Sequence, residues 1–174
     1  MTTFETLIAQ RRSHRKFTSE TIDAEQVRLL LRAALMSPTS KNQRAWKFAV
    51  VDDALKIEKL SDVKETGAQF LKGAPLAIVV MGNSQENDCW IEDGSIAAFA
   101  MQLQAEDLGL GSCWIQIRDR HLSDGTDSER IVRGILDIPD EERILCILAF
   151  GHPADIRQPL NEDRLKWERV VVTS

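Results

Sequence analysis

The stretch Gly109-Leu110-Gly111-Ser112-Cys113-Trp114, GLGSCW, decides what kind of sheet this chain builds. Its two glycines resemble the start of a dinucleotide-binding fingerprint, but that motif needs a strand before it and a helix after it. Here the order is reversed. From Cys89 to Leu108 the sequence reads as one long helix, in which Ile96, Ala97, Ala100, Met101, Leu103 and Gln104 leave little surface for solvent. Gly109 caps it, and Ser112 to Ile117 then has strand composition. The glycines serve a cap and a tight turn, and a doubly wound Rossmann fold is excluded.

Working outward, Pro75 to Met81 is a short continuous apolar run, the composition of a strand covered on both faces. Trp46 to Val51 and Ile144 to Phe150 read as further strands, so the sheet has at least four. Helices are expected over Ala54 to Leu60, up to Gly73, and over Ser128 to Leu136. Toward the N-terminus, Thr2-x-x-Glu5 resembles a capping box for a helix reaching Arg12, and Asp23-x-x-Gln26 opens a second helix that Ser37-Pro38 stops. The polar stretch Pro38 to Ala45, PTSKNQRA, is a loop. Beyond Gly151-His152-Pro153 the chain turns polar and charged until Val170-Val171-Val172, a terminal strand whose edge needs a partner.

At 174 residues, 43% apolar and 28% charged, the chain fits a single domain over residues 1–174, with 154–174 as a tail. No apolar run approaches the roughly 20 residues of a membrane helix. Met1-Thr2-Thr3 leads straight into an amphipathic pattern rather than a signal peptide, and Cys89, Cys113 and Cys146 are widely spaced and odd in number. A soluble cytoplasmic protein with reduced thiols is expected. Tyrosine is absent, which removes any phenolic acid or nucleophile.

Residues 11 to 17, RRSHRKF, hold four formal positive charges in a chain of net charge −5. Such a local cluster suits one small anion rather than a nucleic acid. On charge alone it is either a solvated helix end or a phosphate clamp. Other chemistry finds little support. His14, His121 and His152 lie far apart with no i, i+4 pair, so no metal site is expected. Cys113 and Cys146 read as core residues within strands, no G-x-S-x-G is present, and Glu92 and Asp93 read as a solvated helix face.

The order of the fragments is more specific than any one of them. Arg11-Arg12-Ser13-x-Arg15-x-Phe17, then Ser37-Pro38-Thr39-Ser40-Lys41-Asn42-x-x-x-Trp46-x-Phe48, then Gly109 to Ile115, then Gly151-His152-Pro153, resembles the FMN-dependent nitroreductase family over essentially the whole chain. The resemblance implies an α+β fold with a central, mainly antiparallel sheet flanked by helices. It implies an intertwined homodimer that holds FMN at the subunit interface. The implied activity is reduction of nitroaromatic, quinone or similar small acceptors by a ping-pong mechanism, with NADH or NADPH as electron donor. The alternative is an FMN-binding or flavin-transfer module without efficient turnover.

Carried over by position, Arg11, Ser13 and Arg15 grip the phosphate and ribityl chain, with Arg12 close and Arg157 completing the phosphate site. Pro38, Thr39, Ser40 and Asn42 line the flavin from the partner chain. Backbone amides around Trp114, Ile115, Gln116 and Ile117 approach the redox edge of the ring, and Gly151 belongs to the same cofactor set. His14 and Lys16 are expected to face solvent and Phe17 the core. No side chain is expected to act as a catalyst, because the flavin carries the electrons. One departure stands out: many members have Asn-x-Gln-Pro-Trp, where this chain has Asn42-Gln43-Arg44-Ala45-Trp46. Arg44 places a cation at a flavin contact, serving either the reduced ring or an acidic substrate.

Overall fold

The computed structural model describes residues 2–173. Met1 and Ser174, the ends of the expected chain-long unit and of its tail, lie outside the described residues. Strands β1 (Trp46–Val51), β2 (Leu76–Gly82), β3 (Gly111–Gln116) and β4 (Arg143–Gly151) form a sheet in the order β1-β2-β4-β3, with every neighbouring pair antiparallel. The fold is α+β, as the sequence implied. β2 is buried along its whole length because both faces of the sheet are covered. Ala77, Val79 and Met81 point into one core, with α3 (Ala54–Ser61) and α5 (Ser128–Leu136) above them. Leu76, Ile78 and Val80 point into the other, against α2 (Ala24–Leu35) and α4 (Trp90–Asp107). Each fully buried aliphatic side chain of this kind contributes roughly 1.5–3 kcal/mol.

The local signals act largely as read. Asp23 and Gln26 form a reciprocal capping box at the start of α2. Gly109 at φ +71 turns the chain out of α4, and the Leu110 N–H returns to the Ala105 carbonyl at 2.8 Å. Differences occur at exposed ends. The first helix, α1 (Phe4–Gln10), is capped by Thr3 rather than Thr2, because it is the Thr3 hydroxyl that accepts the Thr6 N–H. It also stops before the basic cluster. Residues 69–73 make only a 3-10 turn. Ile96 is 43% exposed, contrary to the expected burial of that helix face. Val170 to Val172 join no strand among the described residues and lie exposed.

Candidate functional site

The basic segment is extended chain laid across the end of the sheet. The His14 N–H donates to the Ser112 carbonyl at 2.9 Å, the Thr18 N–H to that of His152 at 2.9 Å, and the Ala154 N–H to that of Lys16 at 3.0 Å. This removes the helix-end reading of the cluster and imposes the two-residue alternation of a strand. The segment can approach so closely because residues 111 and 151 lack side chains. A Cβ on Gly111 would stand 2.9 Å from His14 Cβ, and one on Gly151 only 2.8 Å from the Phe17 ring.

The two sides of the segment have different neighbours. Ser13, Arg11 and Arg15 all act on the Cys113 thiol, and Lys64 joins them from the loop after α3. Lys64 also donates to the Gln116 carbonyl at 3.2 Å, and the Arg15 guanidinium stands 5.8 Å from the Phe70 ring centre. Burial pushes the Cys113 thiol up in spite of the surrounding positive charge, so it stays protonated. Burial, together with the charge of Arg120, holds the Lys64 ammonium below its ordinary value.

On the other side His14 is 8% exposed, with Nδ1 3.0 Å from Asp155 Oδ1. The expectation that it faces solvent is wrong, because Asp155 returns from far along the chain to meet it. Asp155 is held low chiefly by that hydrogen bond and also pairs with Arg157 at 2.7 Å. Arg157 lines a groove of about 350 Å³ with Arg12 and Arg164, whose lining does not include Arg11, Ser13 or Arg15. Lys64 and Arg164 were not singled out by the sequence, since each is one cation in a polar stretch with no motif around it.

β3 is an edge strand, and its peptide groups alternate between β4 and the open side. The Ser112 carbonyl accepts from His14 and the Gln116 carbonyl from Lys64, which puts the peptides of Ser112, Trp114 and Gln116 on the open edge. Ile115 is buried and Gln116 half-buried, with its side-chain oxygen accepting from Trp114 Nε1 at 3.0 Å.

Pro38, Thr39, Ser40, Asn42 and Arg44 lie elsewhere, before β1 and against the start of α4. The Ser40 N–H donates to both oxygens of Asp93 at 2.9 and 3.1 Å, and Asn87 Nδ2 donates to Asp93 Oδ2 at 2.7 Å. Asp93 is 4% exposed, so reading it as part of a solvated helix face was wrong: its neighbour Glu92 faces out, and Asp93 anchors the loop. α4 has 18 residues, a length of about 27 Å. Its first turn holds this loop and its last turn leads to Gly111 and the basic segment. Within one chain the two groups of expected cofactor residues therefore stand at opposite ends of the sheet.

A model of the nitroreductase family matches residues 8–68 and 58–152, which together take in most of the chain and three of the four motifs complete. The chain belongs to the nitroreductase family. Among solved structures, this family member is similar to an FMN-dependent nitroreductase from Clostridium difficile R20291, with a TM-score of 0.94, 40% identity and coverage of 97% of this chain and 98% of that one. It is 30% identical to an Archaeoglobus fulgidus protein with the provisional name NADH dehydrogenase/NAD(P)H nitroreductase, over 94% of each chain. It is 28% identical to the FMN reductase (NADPH) of Bacillus subtilis, over 88% of this chain and 67% of that protein.

Proposed function

We propose that this nitroreductase-family chain is an FMN-dependent oxidoreductase that draws electrons from NADH or NADPH. It passes them to nitroaromatic, quinone or similar small acceptors in two alternating half-reactions. The observation that carries this reading is the open edge of β3. Arg11, Arg15 and Lys64 gather there with the Ser13 hydroxyl, and none of the three cations has an ion-pair partner among the described residues. The nearby thiol is kept neutral, so it supplies no counter-charge. A phosphate dianion and a planar ring with an anionic reduced form match that donor set.

When bound, FMN supplies the hydride acceptor and the electron store. The protein's part is to bind and tune. Arg11, Ser13 and Arg15 hold the phosphate and ribityl chain. Lys64 and the outward N–H groups of Trp114 and Gln116 present positive potential along the strand edge, where the ring gains negative charge on reduction. Arg12, Arg157 and Arg164 extend that potential on the far side of the segment. The names of the similar proteins fit the same cofactor and electron donors.

A second copy of the chain completes the site. Loop 38–44 cannot reach the β3 edge of its own chain, whereas a partner facing the other way brings its loop to that edge. Apolar surface for such an interface is present: Ile96 and Phe99 on α4, Phe4 and Ile8 on α1, and Trp167, Val171 and Val172 on tail 154–174 are all exposed. The tail embraces the partner in this reading. The free cysteines suit the cytoplasm.

The decisive test is anaerobic titration of the FMN-reconstituted protein with NADH and NADPH in parallel. The expected result is a yellow protein that one or both donors bleach. Protein that stays colourless after reconstitution overturns the reading. Bound FMN that neither donor reduces would leave a flavin-binding module instead.

A further inference from the structure

Arg44 sits in a loop held in an uncommon shape. Lys41, Asn42 and Arg44 all lie in the left-handed region, at φ 51, 56 and 53, although none is glycine. Such conformations persist only where the surroundings over-determine them. Here the buried Asp93 grips the Ser40 N–H with both oxygens, and Asn87 braces the same carboxylate. Thr39 takes the Arg44 N–H on its hydroxyl at 3.1 Å and the Asn42 N–H on its carbonyl at 3.1 Å. The Arg44 side chain spends only Nε, which donates to Asn42 Oδ1 at 3.0 Å. Its two terminal nitrogens have no protein partner among the described residues.

Among the described residues Arg11, Arg12 and Arg15 also lack a carboxylate partner, but Arg44 differs from them in having its stem held by another side chain. Arg28, Arg118, Arg133, Arg143 and Arg157 each meet a carboxylate, and Lys41, the other cation of the loop, faces Asp88 at 3.8 Å. With a net charge of −5, carboxylates are in excess, yet none neutralises Arg44. A guanidinium held at its stem with its outer fork free is built to receive a planar anion through two parallel hydrogen bonds.

We propose that Arg44, preset by the Asp93 clamp, selects aromatic electron acceptors that carry a carboxylate. This rests on the proposed flavin-dependent reaction and names the acceptor class of that same site. The test compares kcat/KM for 4-nitrobenzoate and 4-nitrobenzamide in FMN-loaded wild type, Arg44→Gln, Arg44→Lys and Asp93→Asn. The nitrobenzoate-to-nitrobenzamide ratio should fall at least tenfold in Arg44→Gln through the KM for nitrobenzoate, and less in Arg44→Lys. Asp93→Asn should lower the same ratio, whereas a merely structural defect would depress both acceptors together. Benzoate, which accepts no electrons, gives a readout apart from turnover. Calorimetry should show it binding wild type at least fivefold more tightly than Arg44→Gln. Equal ratios and equal benzoate affinity in wild type and Arg44→Gln overturn the proposal, as does a variant that loses FMN with its ratio unchanged. Failure of NADH and NADPH to reduce the bound flavin would instead overturn the reading beneath it, and the benzoate titration would still decide the role of Arg44.

Discussion

Gly111→Ala drives a methyl group into the contact that seats the basic segment on β3. The new Cβ would lie 2.9 Å from His14 Cβ, 3.0 Å from Cγ and 3.3 Å from Cδ2. Carbon atoms pack at about 3.5–4.0 Å, so His14 must move by roughly 0.6 Å or more. It has little freedom to do so, because its N–H is bonded to Ser112 and its ring to Asp155. Overpacking of this kind costs about 1–3 kcal/mol, and losing one of the two hydrogen bonds about 1 kcal/mol more. Alanine recovers about 0.4–1 kcal/mol by restricting the unfolded chain. The net loss is on the order of 2 kcal/mol, a drop in Tm of about 4–8 °C for a chain of this size. Thermal unfolding of the FMN-free protein measures that term alone. Ser13 and Arg15 flank His14, so the affinity for FMN, read from quenching of its fluorescence, should weaken about tenfold as well, a further ~1.4 kcal/mol. A variant with unchanged Tm and unchanged FMN affinity would refute the close-approach argument. Loss of stability alone would refute the link between His14's seat and the cofactor.

Arg15→Ala should weaken FMN binding by about 1.5–3 kcal/mol, the worth of a charged hydrogen bond, with the Tm of the FMN-free protein little changed. Glu129 titrates low: burial raises its carboxyl, but the paired hydrogen bonds from Arg143, the Ile144 N–H and the charges of Arg143 and Arg133 outweigh burial. A lowered folded value means that this stability is present above the ordinary carboxylate range and lost as pH falls through the folded value. Glu129→Gln should therefore lower Tm at pH 7, and the gap to wild type should close in acid; a gap independent of pH would refute this. Alkylation followed by mass spectrometry should modify the half-buried Cys89 first, with Cys113 and Cys146 protected in the native protein, since burial raises both thiols. Early labelling of Cys113 at neutral pH would show that its cations prevail over burial.

Much of the fold was legible because it rests on local patterns. An unbroken apolar run such as Pro75 to Met81 has few homes other than a strand covered on both faces, and Gly109 after a long apolar helix admits little but a turn. The missed features depend on residues distant in sequence. His14 sits between Arg12, Arg15 and Lys16, where local composition argues for solvent; only the fold brings up Asp155, 141 positions later, to bury it. Asp93 follows Glu92, and no periodicity tells which of two adjacent carboxylates turns inward to meet the amide of Ser40, 53 residues earlier. Lys64 lies in a polar loop without a motif, and its role comes from the edge of β3 that it reaches.

The alternation of the basic segment also explains why so many cations can crowd there without one large repulsive patch. In an extended chain, successive side chains leave on opposite sides, so Arg11, Ser13 and Arg15 share one side while Arg12 and His14 take the other. The first side faces β3, Lys64 and a neutral thiol, and apart from the Glu106 carboxyl, which feels the charges of Arg11 and His14, its charge is left for a ligand. The second is partly neutralised from within: Asp155 accepts from His14 and from Arg157 together, fastening the start of the tail to the same segment. The tail beyond it is exposed, yet its point of departure is fixed beside the proposed cofactor site. In the proposed dimer, a partner that takes up the tail would be tied to the position of Ser13 and Arg15, so that docking of a second chain and binding of FMN should reinforce each other.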